Sequence, residues 1–100
     1  MPLTSKHIRY LRGLTHQLQP VVMVADKGLN ENVMAEIESA LQHHELIKIK
    51  LRADRDTRKS WIAQISTQFS AEKVYVIGQV ACFFRRNPKK PVIALPGKAG

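Results

Sequence analysis

Leu46-Ile47-Lys48-Ile49-Lys50-Leu51 alternates without a break. Successive side chains of an extended chain leave opposite faces, so Ile47, Ile49 and Leu51 share one face and Leu46, Lys48 and Lys50 the other. This predicts a strand with one buried face and a lysine-bearing face open to solvent or a ligand. Upstream, Val33, Ile37, Ala40, Leu41 and His44 recur at helical spacing, with Asn30 as a good cap and Glu31 well placed in the first turn. The pattern predicts a helix ending at about His43 or His44. Further upstream, Pro20 introduces Val21-Val22-Met23-Val24-Ala25, an apolar run without alternation, which reads as a strand buried on both faces. Asp26-Lys27-Gly28 is the tight turn between that strand and the helix.

Working outward, residues 5–13 read as a short helix capped by Thr4 or Ser5 and stopped by Gly13, with Ile8 and Leu11 on its apolar side. Lys6, Arg9 and Gly13 lie along one stripe, with Arg12 beside it. After the alternating strand, Arg52 to Arg55 form a polar loop, and Asp54 or Asp56 caps a third helix whose apolar side is Trp61, Ile62, Ile65 and Phe69. Val74–Ile77 and Val80–Phe84 are strands joined by Gly78-Gln79, a two-residue hairpin link. Residues 86–91 form a loop, and Val92 to Leu95 are a candidate edge strand. The order α-β-α-β-α-β-β predicts an α/β fold: a mixed four-stranded sheet with helices mainly on one face, the β-α-β units giving parallel pairing and the hairpin an antiparallel pair. One domain over residues 1–96 is expected, with 97–100 a frayed tail.

The chain has 100 residues and a formal net charge of +8, with 44% hydrophobic residues, enough for a folded core. One cysteine excludes an internal disulfide and a thiolate metal cluster. No apolar run approaches the roughly 20 residues of a membrane span, and the start has no signal-peptide core, so a cytoplasmic domain is expected. The charge is segregated. Residues 1–27 carry +3 and residues 28–47 carry −4 with no Lys or Arg. Residues 48–59 carry +4, 60–84 are balanced, and 85–100 carry +5. Such polarity points to a polyanionic partner on one side of the molecule.

The Ala25–Gly28 turn suits a phosphate. It precedes a helix N-terminus, Gly28 lets the backbone approach closely, and Lys27 adds a mobile charge, although Asp26 opposes an anion. Nothing points to an enzyme or a cofactor. His43-His44-Glu45 cannot chelate one ion from consecutive helical positions, and His44 continues the apolar stripe. Cys82 reads as a small buried hydrophobe. There is no phosphate-loop, dinucleotide or nucleophile-elbow motif. Tyr75 is the aromatic candidate for base stacking; the others read as core.

Several fragments in order resemble a known family. They are Leu3-Thr4-Ser5-Lys6, Leu11-Arg12-Gly13-Leu14-Thr15-His16, Pro20-Val21-Val22, Lys27-Gly28-Leu29, Glu36-Ile37-Glu38 with Ala40-Leu41, His43 to Lys50, Asp54 to Thr57, Val76-Ile77-Gly78, Phe84-Arg85-Arg86 and Leu95-Pro96. The sequence resembles the CRM domain (chloroplast RNA splicing and ribosome maturation) in its bacterial single-domain YhbY-like form, over residues 3–96. The resemblance implies a fold similar to the C-terminal domain of translation initiation factor three. It also implies binding to ribosomal RNA in large-subunit precursors. The family's Gly-x-x-Gly loop maps onto Ala25-Asp26-Lys27-Gly28, where Ala25 would be strained if its position needed positive φ. The family's basic positions map onto Lys6, Lys48 and Lys50. The expected RNA surface comprises Lys27 and Gly28, Lys6, Arg9 and Arg12 on one flank, and Lys48, Lys50 and Arg52 on the adjoining sheet. Arg85 and Arg86 extend it. Glu31, Glu36 and Glu38 face away from RNA or meet a basic ribosomal protein. The expected protein is a monomer without catalytic activity; the alternative is a module that docks on ribosomal proteins.

Overall fold

The computed structural model describes residues 3–96; the tail expected at 97–100 lies outside the described residues. The elements are α1 Ser5–Thr15, β1 Pro20–Val24, α2 Glu31–His44, β2 Leu46–Leu51, α3 Arg55–Phe69, β3 Glu72–Ile77 and β4 Val80–Phe84. They follow the predicted order. The strands form one mixed sheet in the order β1-β2-β4-β3, with β1 parallel to β2, and β4 antiparallel to both β2 and β3. The second crossover makes β3 run parallel to β2, but the two are not neighbours. β4 folds back from the Gly78-Gln79 link into the gap between them.

Short polar side chains start each helix. Thr4 Oγ1 accepts from the His7 backbone N–H at 3.1 Å, and His7 Nδ1 accepts from the Thr4 N–H at 3.3 Å, a reciprocal capping box. Asn30 Oδ1 accepts from the Val33 N–H at 2.9 Å and Asp54 Oδ1 from the Thr57 N–H at 2.8 Å. The expected stop at Gly13 is not used, and α1 runs on to Thr15. A glycine inside a helix costs about 1 kcal/mol, which the next turn offsets by burying Thr15 and packing Leu14 against the sheet.

The sheet divides the core in two. Ile47, Ile49, Leu51, Val22, Val24, Ala81 and Phe83 meet Ile37 and Leu41 of α2 and Ile65 and Phe69 of α3 on one face. Leu46, Cys82, Phe84 and Val74 meet Leu11 of α1 on the other, with Ile93 and Leu95 packed alongside. Two helices therefore share one face and α1 takes the opposite one. β1 departs from its reading as doubly buried: Val22 and Val24 are buried, but Val21 and Met23 are 49% and 52% exposed. The strand lies at the sheet edge, while α1 packs mainly over β2 and β3, which apolar composition alone does not reveal. Val92 to Leu95 form no strand, because another device holds that segment.

That device is Glu45, the single residue between α2 and β2. Turning a helix into a strand in one residue forces φ to +63°, a costly conformation for a side chain other than glycine. Glu45 is fully buried. Its N–H donates to the Leu41 carbonyl at 3.0 Å, and its carbonyl accepts from the Arg85 N–H at 2.9 Å. Its carboxylate accepts from the N–H groups of Asn87 at 2.6 Å, and of Val92 and Ile93 at 2.8 Å each. Arg86 adds an ion pair at 3.3 Å and also donates to the Ile93 carbonyl at 2.8 Å. His44, expected in the apolar stripe, is exposed; the following residue carries the buried end of the helix instead.

Burial pushes the Glu45 carboxyl up, but the three backbone donors and Arg86 outweigh it and hold it below the ordinary 4.5. Glu38 is likewise lowered, chiefly by its hydrogen bonds from Arg85. A carboxylate with a depressed folded value stabilises fully above its unfolded value and loses that stabilisation as pH falls through the folded one. The unfolding midpoint should therefore hold steady between about pH 7 and 5 and decline below about 4.5, and a midpoint constant down to about pH 3 would contradict this. Glu45→Ala should cost at least about 3 kcal/mol in denaturant unfolding, because it strands Arg86 and three backbone donors. A loss under about 1 kcal/mol would show that water replaces the carboxylate easily.

Candidate nucleic-acid interface

Parallel pairing of β1 and β2 brings their C-terminal ends together, and the antiparallel β4 delivers the Gly78-Gln79 link to the same edge. Three connections meet there: Ala25–Asn30, Arg52–Asp54 and the hairpin link. The N-termini of α2 and α3 both start from this edge. The Arg52 N–H donates to the Val24 carbonyl at 2.8 Å, tying the second connection to β1. Lys27 and Arg52 are exposed around this rim.

The Gly28 N–H donates to the Ala25 carbonyl at 2.8 Å and closes the turn. Gly28 adopts φ +64°, while the non-glycine residues at positive φ among those described are Glu45 and Ser70. Ala25 is thus unstrained, and alanine in the first position of the Gly-x-x-Gly pattern is compatible with this loop. A Cβ on Gly28 would find the Trp61 ring at 3.8 Å, an ordinary contact. The backbone conformation, not space, calls for glycine. Trp61, read from its periodicity only as core, supports the loop from beneath. Its spacing on α3 gives no sign of this, because the contact depends on where α3 crosses α2.

The sheet face that α1 covers in part carries the next charges. Lys48 and Lys50 are half-buried on the face opposite α2 and α3, two positions apart and so about 6.7 Å along the strand. Lys50 lies beside Met23 and opposite Val80, and Lys48 is opposite Cys82. Tyr75 also pairs with Cys82, and the Arg12 guanidinium sits 4.5 Å over the Tyr75 ring. His16 approaches that ring edge-on at 6.0 Å. The residue marked as a stacking candidate therefore holds an arginine in place. Arg12, Lys48 and Lys50 share one face, which runs on to Arg52 and Lys27 at the rim. Lys6 and Arg9 are exposed on α1.

Arg85 and Arg86 do not join this surface. They follow Phe84, which pairs with Leu46 at the far end of β2. Arg85 makes two 2.8 Å hydrogen bonds to the Glu38 carboxylate, and Arg86 serves Glu45. Contrary to the expected extension of the patch, both cations are paired with carboxylates at the far end of β2 while staying part-exposed. Their order in the sequence could not show it, since their partners lie more than forty positions away. Glu31 and Glu36 are exposed on α2, across the sheet from Lys48 and Lys50. Among the described residues no group of three or more His, Cys, Asp or Glu could hold a metal. Cys82 is buried, and burial pushes its thiol up, away from a reactive thiolate. Among the described residues no helix is long and apolar enough to cross a membrane.

A glycine-closed loop beside two helix N-termini, next to a lysine-bearing sheet face, marks one side of a small α/β domain. The chain belongs to the CRS1/YhbY (CRM) domain family, whose model matches residues 3–85. It is 44% identical over 97 residues to a Haemophilus influenzae protein named "RNA-binding protein", covering 96% of this chain and 97% of that one. It is 42% identical over 90 residues to a Pseudomonas aeruginosa protein named "Probable RNA-binding protein", covering 89% and 86%. The solution structure of a Staphylococcus aureus protein, described as a candidate RNA-binding protein, matches with a TM-score of 0.80 at 33% identity, covering 95% of this chain and all of that one.

Gly28→Ala should destabilise the fold by about 1–2 kcal/mol through its positive φ alone. Denaturant unfolding measures this, and an unchanged midpoint would mean that the turn relaxes to another conformation.

Proposed function

We propose that this chain is a non-catalytic RNA-binding domain. Its Lys27 and Gly28 loop takes phosphates together with the α2 N-terminus, and Arg12, Lys48, Lys50 and Arg52 line the adjoining surface. Lys6 and Arg9 form the outer flank. The observation that carries this reading is the separation of charge by the sheet. Arg12, Lys48 and Lys50 lie on one side of the sheet and Lys27 and Arg52 at its rim, while Glu31 and Glu36 lie on α2 across the sheet. The names of its relatives support RNA as the polyanion. Ribosomal RNA in large-subunit precursors is the target that the family resemblance favours, bound by a cytoplasmic monomer. With Tyr75 engaged by Arg12, affinity comes from backbone charge and shape more than from stacking.

Binding to structured RNA should weaken steeply with salt. About five neutralised phosphates give a log–log slope near −3.5 to −4.5, and a flat response would sink the electrostatic account. Lys27→Ala combined with Lys48→Ala should lower RNA affinity with little change in the unfolding midpoint. Unchanged affinity in the folded fraction would remove both from the interface. Crosslinking with sequencing of bound RNA tests the target. Discrete peaks on large-subunit ribosomal RNA support the proposal; diffuse recovery favours a module that docks on ribosomal proteins.

A further inference from the structure

The three connections at the rim enclose a cleft of about 390 Å³ lined by Ala25, Asp26, Arg52, Ala53 and Gln79. Its size falls in the range of small-ligand sites. Its backbone groups are largely used. The Ala25 carbonyl accepts from Gly28, the Arg52 N–H donates to Val24, the Gln79 carbonyl accepts from Leu51 and the Ala53 carbonyl accepts from Arg58. The side chains of the lining residues are a carboxylate, a guanidinium, a carboxamide and two alanine methyls. The ion pairs among the described residues are Arg85–Glu38 and Arg86–Glu45. Asp26 and Arg52 line one cleft without neutralising each other.

A carboxylate is the wrong group for a phosphate and would weaken a site built only for backbone. It is the right group for a nucleobase that presents two adjacent N–H donors. Among the four RNA bases only guanine does so, through N1–H and the N2 amine on its Watson–Crick edge, with the O6 acceptor beside them for an arginine N–H. Uracil offers one donor between two acceptors, and adenine and cytosine each offer one amine beside an acceptor. A carboxylate takes two parallel donors in a bidentate arrangement. That guanine edge is free only when the base is unpaired, and unpaired bases are where sequence-specific RNA recognition is concentrated.

We infer that this cleft binds an unpaired guanine, with Asp26 accepting from N1–H and the N2 amine, Arg52 donating to O6, and Gln79 closing the edge. The inference rests on the RNA-binding reading and gives it a preference for a bulged or looped guanosine beside a helix. The phosphate loop at Lys27 and Gly28 would hold the flanking backbone.

The test uses the full chain and a set of RNA hairpins that differ at one bulged position: guanine, inosine, adenine, or no bulge. The guanine bulge should bind on the order of tenfold tighter than the adenine bulge or the fully paired hairpin. Inosine, which lacks the N2 amine, should lose most of that gain. Asp26→Asn should abolish the guanine preference while leaving affinity for the paired hairpin equal or higher, because a negative charge is removed. Asp26 is exposed in a turn, so the variant should fold, and its unfolding midpoint checks this. Equal affinity for all four hairpins, still falling with salt, overturns the cleft assignment and leaves the RNA reading standing. So does a guanine preference that survives in Asp26→Asn. Absence of salt-dependent binding to any hairpin overturns both.

Discussion

The fold hangs on one buried carboxylate. Glu45 is the whole connection between α2 and β2, and it holds a positive-φ backbone that only a well-anchored side chain would tolerate. Its five partners beyond β4, Arg85, Arg86, Asn87, Val92 and Ile93, draw that segment back across the start of β2. Ile93 and Leu95 can then cover the second core beside α1. A charge in this position would be expensive if it were unpaired. Here every oxygen has donors, and no buried side-chain polar atom is left without a partner among the described residues. The interaction that closes the fold also pairs Arg86 with a buried carboxylate, and Arg85, beside it, is drawn onto Glu38 of α2.

This has a functional consequence. Sixteen Lys and Arg suggest a diffusely basic molecule, but the arginines after β4 are consumed by structural acids at one end. Arg12, Lys48 and Lys50 stay on the sheet face opposite α2 and α3, and Lys27 and Arg52 stay exposed at the rim at the other end of β2. The sheet acts as a partition. Packing of α2 on the Ile47 and Ile49 face turns its remaining glutamates away from the lysines, so the two charge populations point in opposite directions. An RNA would meet the domain in one orientation for electrostatic reasons before any specific contact formed.

Much of this was legible in the chain. The alternation from Leu46 to Leu51 assigned each residue of β2 to its face correctly, and the caps Asn30 and Asp54 marked their helices. The Lys27-Gly28 turn was recognisable because positive φ at a glycine before a helix is a local property. Three features were illegible for a common reason. The exposure of Val21 and Met23 depends on β1 being an edge strand, the support of Gly28 by Trp61 depends on how α3 crosses, and the pairing of Glu45 with Arg86 spans most of the second half of the chain. None leaves a periodic trace.

The amino-acid sequence by itself determined the order of elements, the two faces of β2 and the glycine turn before α2, because these follow from spacing within a few residues. Only the tertiary structure decided which cations are free and which are bound, and that Asp26, Arg52 and Gln79 share one cleft. Charge counts add along a chain, whereas a surface is made by whichever residues folding brings to the same side. That choice depended on β4 inserting between β2 and β3 and on a carboxylate whose partners lie more than forty residues away.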